Sequence, residues 1–112
     1  MAILVDINGT VAIEGKPVRR IVNYLKTVDE DIYFISGSHE SLRKRYKSLL
    51  EGLGLSYVDI LLNPIDDTKD YAFKLSMARS IPNLSFAIDN NKNVLSLYRS
   101  VGIDAVHPND IW

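Results

Sequence analysis

Short apolar runs alternate with stretches of helical period along this chain. Parallel strands need long crossovers, usually helices, so this order predicts an α/β architecture on a parallel sheet. Five runs carry the pattern: Ala2 to Val5, Ile32 to Ile35, Tyr57 to Leu62, Leu84 to Ile88 and Ile103 to Val106. Val18, Ile21, Val22, Leu25 and Val28 repeat at helical spacing after the first run. Leu42, Tyr46, Leu49, Leu50 and Leu53 share a face of a second helix, with Ser38 as its expected N-cap and Gly52 and Gly54 at its end. A third helix, carrying Lys69 and Lys74, is expected from caps at Asp66-Asp67-Thr68 to about Ser80. Val94, Leu97, Tyr98 and Val101 define a fourth, capped by Asp89 or Asn90 and closed by Gly102. Val11 to Ile13 and Lys16 to Val18 flank Glu14-Gly15 and predict a small hairpin flap.

The 112 residues, 46% apolar and 24% charged, are expected to form a single domain over residues 1–112. Thirteen basic against fourteen acidic side chains give a net charge of −1, so no global field recruits nucleic acid or an anionic membrane. The absence of cysteine excludes disulfides, thiolate metal sites and cysteine nucleophiles. The opening apolar run stops at Asp6, too short for a signal-peptide core, and no later stretch approaches bilayer length. The expectation is a soluble, cytoplasmic chain without a membrane partner.

Three runs end in polar groups: Asp6 after the first, Ser36-Gly37 after the second and Asp89-Asn90 after the fourth. Right-handed crossovers with one reversal give strand order 3-2-1-4-5, a three-layer Rossmann-like sandwich whose switch point lies between the first and fourth strands. Asp6 and Asp89 become neighbours there. Two adjacent carboxylates repel unless a cation sits between them, and hard oxygen ligands suit Mg²⁺ completed by water and a substrate phosphate. Ser36, the backbone N–H groups of Gly37 and Ser38, and a lysine would then hold phosphoryl oxygens while Asp6 attacks phosphorus.

Asp6-Ile7-Asn8-Gly9-Thr10, Ile35-Ser36-Gly37, Lys74 and Ala87-Ile88-Asp89-Asn90 resemble the four ordered motifs of the haloacid dehalogenase-like phosphatase superfamily. Asp67 to Asp70, Lys74, Phe86 to Asp89 and Tyr98 to Ile103 are similar to the phosphatase domain of phage-type polynucleotide kinases. The resemblance implies an aspartyl-phosphate on Asp6, and Mg²⁺ bound by the Asp6 carboxylate, the Asn8 backbone carbonyl and Asp89. It also implies phosphate contacts from Ser36 and Gly37, with charge neutralised by Lys74 or its rival Lys69. No cap domain is expected, because the segments that carry one in larger relatives are minimal. An open site admits a nucleic-acid end, a phosphoprotein or a small phosphate ester. Arg43-Lys44-Arg45 and Lys47 are either backbone-phosphate contacts or a solvated face.

The family places an acid–base aspartate where Asn8 stands, and an amide performs neither proton transfer. Such catalysis is worth roughly a hundred- to ten-thousand-fold. Three readings stay open: a Mg²⁺-dependent phosphomonoesterase acting on nucleotide or polynucleotide ends, slowed by Asn8; a non-catalytic phosphate- or Mg²⁺-binding module; and an engineered Asp-to-Asn form of an active enzyme. Two further departures are Ser38 in place of an arginine, for which Lys16, Arg19 or Arg20 could substitute, and Asn90 in place of a second acid. His39 and His107 read as solvated or capping residues. Tyr33, Tyr57, Tyr71 and Phe86 read as packing, and Ile111 and Trp112 as a tail that packs back. Asn8-Gly9 is a deamidation-prone pair.

Overall fold

Strand β1 (Ala2–Asp6) is buried along its whole length and pairs in parallel with a neighbour on each side. The computed structural model describes residues 1–64 and 70–111, with the side chain of Asp70 left aside. The expected caps at Asp66-Asp67-Thr68, Lys69 and Trp112 lie outside the described residues.

After β1 the chain forms a flap of β2 (Ala12–Ile13) and β3 (Lys16–Pro17), then helix α1 (Arg19–Leu25). Glu14 and Gly15 at the flap tip have φ of 52° and 79°. Two left-handed residues make the turn whose twist suits a two-residue hairpin, which explains why a glycine sits second. Strand β4 (Asp31–His39), a 3₁₀ turn at Glu40–Leu42, α2 (Arg43–Gly52) and β5 (Asp59–Asn63) follow. The remainder is α3 (Asp70–Ser80), β6 (Leu84–Ile88), α4 (Lys92–Ser100), β7 (Ala105–Val106) and a 3₁₀ turn at Pro108–Asp110. Among the described residues, no helix is long and apolar enough to cross a membrane.

The five parallel strands stand in the order β5-β4-β1-β6-β7, which is the expected 3-2-1-4-5. Side chains alternate between the two faces of the sheet. Ile3 and Val5 join Ile21, Leu25, Phe34 and Leu50 in the core under α1 and α2. Ala2 and Leu4 join Phe73, Ala78, Val94 and Tyr98 under α3 and α4. Each large apolar side chain buried this completely contributes about 1.5–3 kcal/mol. The result is a three-layer sandwich, and among the described residues the segments flanking the site hold only the flap, helices and strands already named.

Several local expectations are corrected. Helix α1 ends at Leu25, so Val28 packs on the core from beyond the helix. Ser38 is not an N-cap, because β4 continues through His39, which pairs with Asn63 after an irregularity in register. His39 caps the 3₁₀ turn instead, its Nδ1 accepting from the Ser41 N–H at 3.2 Å. Neither Asp89 nor Asn90 caps α4; the Asn91 side chain accepts from the Asn93 and Val94 N–H groups. His107 caps the last 3₁₀ turn through the Asn109 N–H. Ile111 is buried, as expected of a tail that packs back, and Arg20 ties it down by donating to the Pro108 and Ile111 carbonyls. Tyr57 packs edge-on to Phe34 at 5.8 Å, whereas Tyr71 is 40% exposed, a rim residue rather than a packed one.

Candidate functional site

Alternation along β1 delivers Asp6 to the face that carries Ala2 and Leu4, beneath α3. The same parity in β6 sends Asp89, just past the strand, to the face of Ala87. Lys74 of α3 reaches down between them. Its Nζ donates to Asp6 Oδ1 at 2.9 Å and to Asp89 Oδ2 at 2.8 Å, with all three side chains buried. Asp6 Oδ2 accepts from the Thr10 hydroxyl at 3.1 Å, and Asp89 Oδ1 accepts from the Asn91 N–H at 2.9 Å.

Two negative groups share one ammonium, and the electrostatics follow. Burial, and next the Asp89 charge, push Asp6 up to about 7 against the pull of Lys74 and Thr10. Burial works against the Lys74 cation, but attraction to Asp6 and Asp89 and its hydrogen bonds to both outweigh it and raise its pKa. Burial, then the nearby Asp89 and Asp6 charges, drive the Tyr98 hydroxyl upward, so that phenol stays protonated.

A polar cluster forms on the opposite face. Ser36 shares the parity of Phe34 and points toward α2, where it meets Tyr46. The Tyr46 hydroxyl donates to Ser38 Oγ at 2.8 Å and accepts from Asn8 Nδ2 at 2.8 Å and from Ser36 Oγ at 3.3 Å. This exhausts the donor and acceptor capacity of a phenol. Burial disfavours its ionised form, yet its hydrogen bonds with Ser36, Ser38 and Asn8 dominate and lower its pKa. Ser36 Oγ also accepts from Asn8 Nδ2 at 3.3 Å and from the Ser38 N–H at 3.2 Å.

Asn90 completes the corner. Turned with its nitrogen inward, its amide donates to Asp6 Oδ2 at 2.8 Å and to the Asn8 carbonyl at 3.2 Å. Gly9, at φ +85°, makes room for it: a Cβ there would run into the Asn90 amide.

All six residues singled out in the sequence, Asp6, Asn8, Ser36, Gly37, Lys74 and Asp89, line one hollow of about 240 Å³, together with Ser38, Asn90 and Asn91. Of the proposed arginine substitutes, Arg20 is committed to the Pro108 and Ile111 carbonyls. Arg43 is committed to Glu40 and Asp59. Sequence reasoning missed Tyr46 as a site residue, and it read Asn90 as part of the fourth motif, as a helix cap and as a substitute for a second acid, not as a partner of Asp6. Tyr46 was detectable as the one hydroxyl-bearing residue on an otherwise leucine face, and Asn90 as an amide beside a carboxylate at a strand end.

Fold and rim together define an open, doubly wound α/β protein with an acid–lysine–acid cluster at its switch point. No protein-family model matches the chain, and no curated protein does. Two solved chains from structures of the Pnkp1/Rnl/Hen1 RNA repair complex superpose on it with TM-scores of 0.83 and 0.85 at 16% identity. Each superposition covers 95% of this chain and 41% or 45% of the other, so the chain spans less than half the length of those neighbours. At that identity the likeness is one of fold.

Proposed function

We propose that this protein is a Mg²⁺-dependent phosphomonoesterase of the haloacid dehalogenase type, acting through an aspartyl-phosphate on Asp6 at the phosphate ends of nucleotides or polynucleotides. The observation that carries this reading is the buried Asp6–Lys74–Asp89 cluster opening onto a phosphate-sized hollow walled by Ser36 and Gly37. The neighbouring fold of the RNA repair complex supports a nucleic-acid end as substrate.

The donor set suits a hard cation. Among the described residues no three His, Cys, Asp or Glu side chains cluster as a metal site, so a cation would rest on mixed oxygens. Asp6 Oδ2 and the Asn8 carbonyl face the end of the Asn90 amide, which presents oxygen when turned over. Asp89 retains lone pairs beyond those given to Lys74 and Asn91, for the ion or its water. Bound there, Mg²⁺ would offset the phosphoryl charge and align phosphorus with Asp6.

Asp6 then attacks phosphorus, and the ester oxygen departs with the bond electrons. Lys74 draws the attacking carboxylate toward its ionised form and offsets charge on the phosphoryl oxygens, while the Ser36 hydroxyl would turn its hydrogen from Tyr46 to the phosphate. The Asn8 amide, its N–H groups held by Tyr46 and Ser36, passes no proton, so water must supply the one the departing oxygen takes. Water next hydrolyses the aspartyl-phosphate and releases phosphate. A second reading, favoured by the amide at position 8, is a module that binds phosphate and Mg²⁺ without turnover.

The test is Mg²⁺-dependent phosphate release from a phosphorylated oligonucleotide and an aryl phosphate, comparing the chain with Asn8→Asp. The expected result is slow release by the parent and a gain of roughly a hundred- to ten-thousand-fold in the variant. Release by neither, with Mg²⁺ shown to bind by calorimetry, refutes the phosphatase reading in favour of the binding module.

A further inference from the structure

Pockets that enclose a whole small molecule run to roughly 300–1,000 Å³. The hollow over Asp6, at about 240 Å³, is smaller than that and fits a phosphoryl group with its immediate ligands. The rest of a substrate must lie outside it. A second cavity, of about 420 Å³, meets the hollow at Asn8 and runs between the flap turn at Glu14-Gly15 and one stripe of α2. The stripe is Arg45, Tyr46 and Leu49 of α2, with Leu42 just before the helix on the same side.

We propose that this groove seats the terminal nucleoside of a phosphorylated polynucleotide, with Leu42 and Leu49 against the base and Arg45 on the next phosphate along the strand. The inference rests on the phosphatase reading and assigns the leaving group of that same site. Three observations support it. The groove and the hollow share Asn8 as a common wall, so a substituent on a phosphate held at Asp6 has the groove mouth beside it. Arg45 is exposed and has no partner among the described residues, whereas Arg43, two residues back and on another side of the helix, is held by Glu40 and Asp59. Its planar fork of N–H donors therefore remains available to a phosphate.

The third observation is Glu14, held at the flap tip with φ 52° by a turn that suits its hairpin. A carboxylate there repels a bare anion but accepts from ribose hydroxyls and base N–H groups. An apolar wall, an acceptor and a cation in one groove match a nucleoside followed by a phosphate. A simple alkyl phosphate offers the groove neither a donor nor a second charge.

The test uses the full chain, Arg45→Gln, and Arg79→Gln as a control on an exposed site of α3. Fluorescence anisotropy follows binding of labelled oligonucleotides phosphorylated at the 3′ or the 5′ end, and of a serine-phosphorylated peptide. Arg45→Gln is expected to weaken oligonucleotide binding about tenfold. It should also make the slope of log K against log salt shallower by about 0.7, the signature of one lost single-strand phosphate contact. The end whose binding falls identifies the strand polarity. Unchanged oligonucleotide affinity and slope, or a loss confined to the phosphopeptide, overturns the assignment.

Turnover separates the two layers of the argument. A kcat/KM preference for oligonucleotide over phenyl phosphate that falls about tenfold in Arg45→Gln supports the groove. Hydrolysis with that preference unmoved refutes the groove and leaves the phosphatase standing. Absence of hydrolysis, in parent and Asn8→Asp alike, refutes the phosphatase, and the binding arm then decides the groove.

Discussion

Replacing Lys74 by methionine keeps most of its length and removes its charge, which leaves Asp6 and Asp89 buried together without their shared cation. At contacts of 2.9 and 2.8 Å, each attraction is worth about 6 kcal/mol gross at an effective dielectric near 20. The cost of burying the charges offsets much of that, and breaking a buried pair by removing one partner costs about 3–5 kcal/mol. For a chain of this length the loss corresponds to a fall in melting temperature on the order of 12–20 °C. The loss should depend on pH in a definite sense. Asp6 already titrates near 7 because burial and Asp89 raise it from 3.8, and removing the lowering pull of Lys74 raises it further. A carboxylate whose folded pKa is raised binds more protons when folded, so stability returns as pH falls. The deficit is therefore full only above the variant's own, higher Asp6 pKa, shrinks as pH falls toward about 7, and is constant below that, where Asp6 is protonated in both folded chains. Calorimetric melts of metal-free parent and Lys74→Met at pH about 9 and about 5 measure it. A variant melting within about 2 °C of the parent at the higher pH would refute the idea that Lys74 holds the acids together.

Tyr46→Phe removes one hydroxyl that serves Asn8, Ser36 and Ser38, and should lower the free energy of urea unfolding by about 1–3 kcal/mol; an unchanged midpoint and slope contradicts the network. Gly9→Ala forces a side chain onto the Asn90 amide at a left-handed backbone position, and Mg²⁺ affinity by titration calorimetry should fall roughly 10–100-fold. Equal affinity would show that Asn90 does not support the cation. The Asn8-Gly9 pair should resist deamidation while folded, because the Gly9 N–H that must attack the Asn8 side chain is held by the Ala12 carbonyl at 2.8 Å. Peptide mass spectrometry should find conversion only after unfolding in urea, and equal rates in both states would overturn this protection.

The strand order and the convergence on Asp6 were legible because both follow from apolar runs ending in polar residues, a pattern set by burial. Ser36 and Asp89 were placed by the same logic, and β6 matched its expected bounds from Leu84 to Ile88. Capping was read less well. Three consecutive Asx residues precede α4, and propensity does not choose among them. Ion pairing draws Asp89 to Lys74 and contact with Asp6 draws Asn90 inward, which leaves Asn91 to cap. Ser38 looked like a cap because serine favours that position. The pairing of His39 with Asn63 keeps the chain extended past it. Tyr46 was read from periodicity alone, which reports where a side chain points but not what its hydroxyl meets. Tyr71 misled for a related reason: it stands at the rim, where the Asn91 and Asn93 amides donate to it at 3.4 and 3.3 Å.

The Lys74 bridge spans 68 residues back to Asp6 and 15 forward to Asp89. No stretch of the chain emerging early in synthesis contains all three, so the nascent polypeptide carries Asp6 as an ordinary acid near its ordinary pKa. Its distinctive chemistry switches on only when β1, α3 and β6 dock together. The same long-range closure makes the state of Asp6 a reporter on whether these elements have docked.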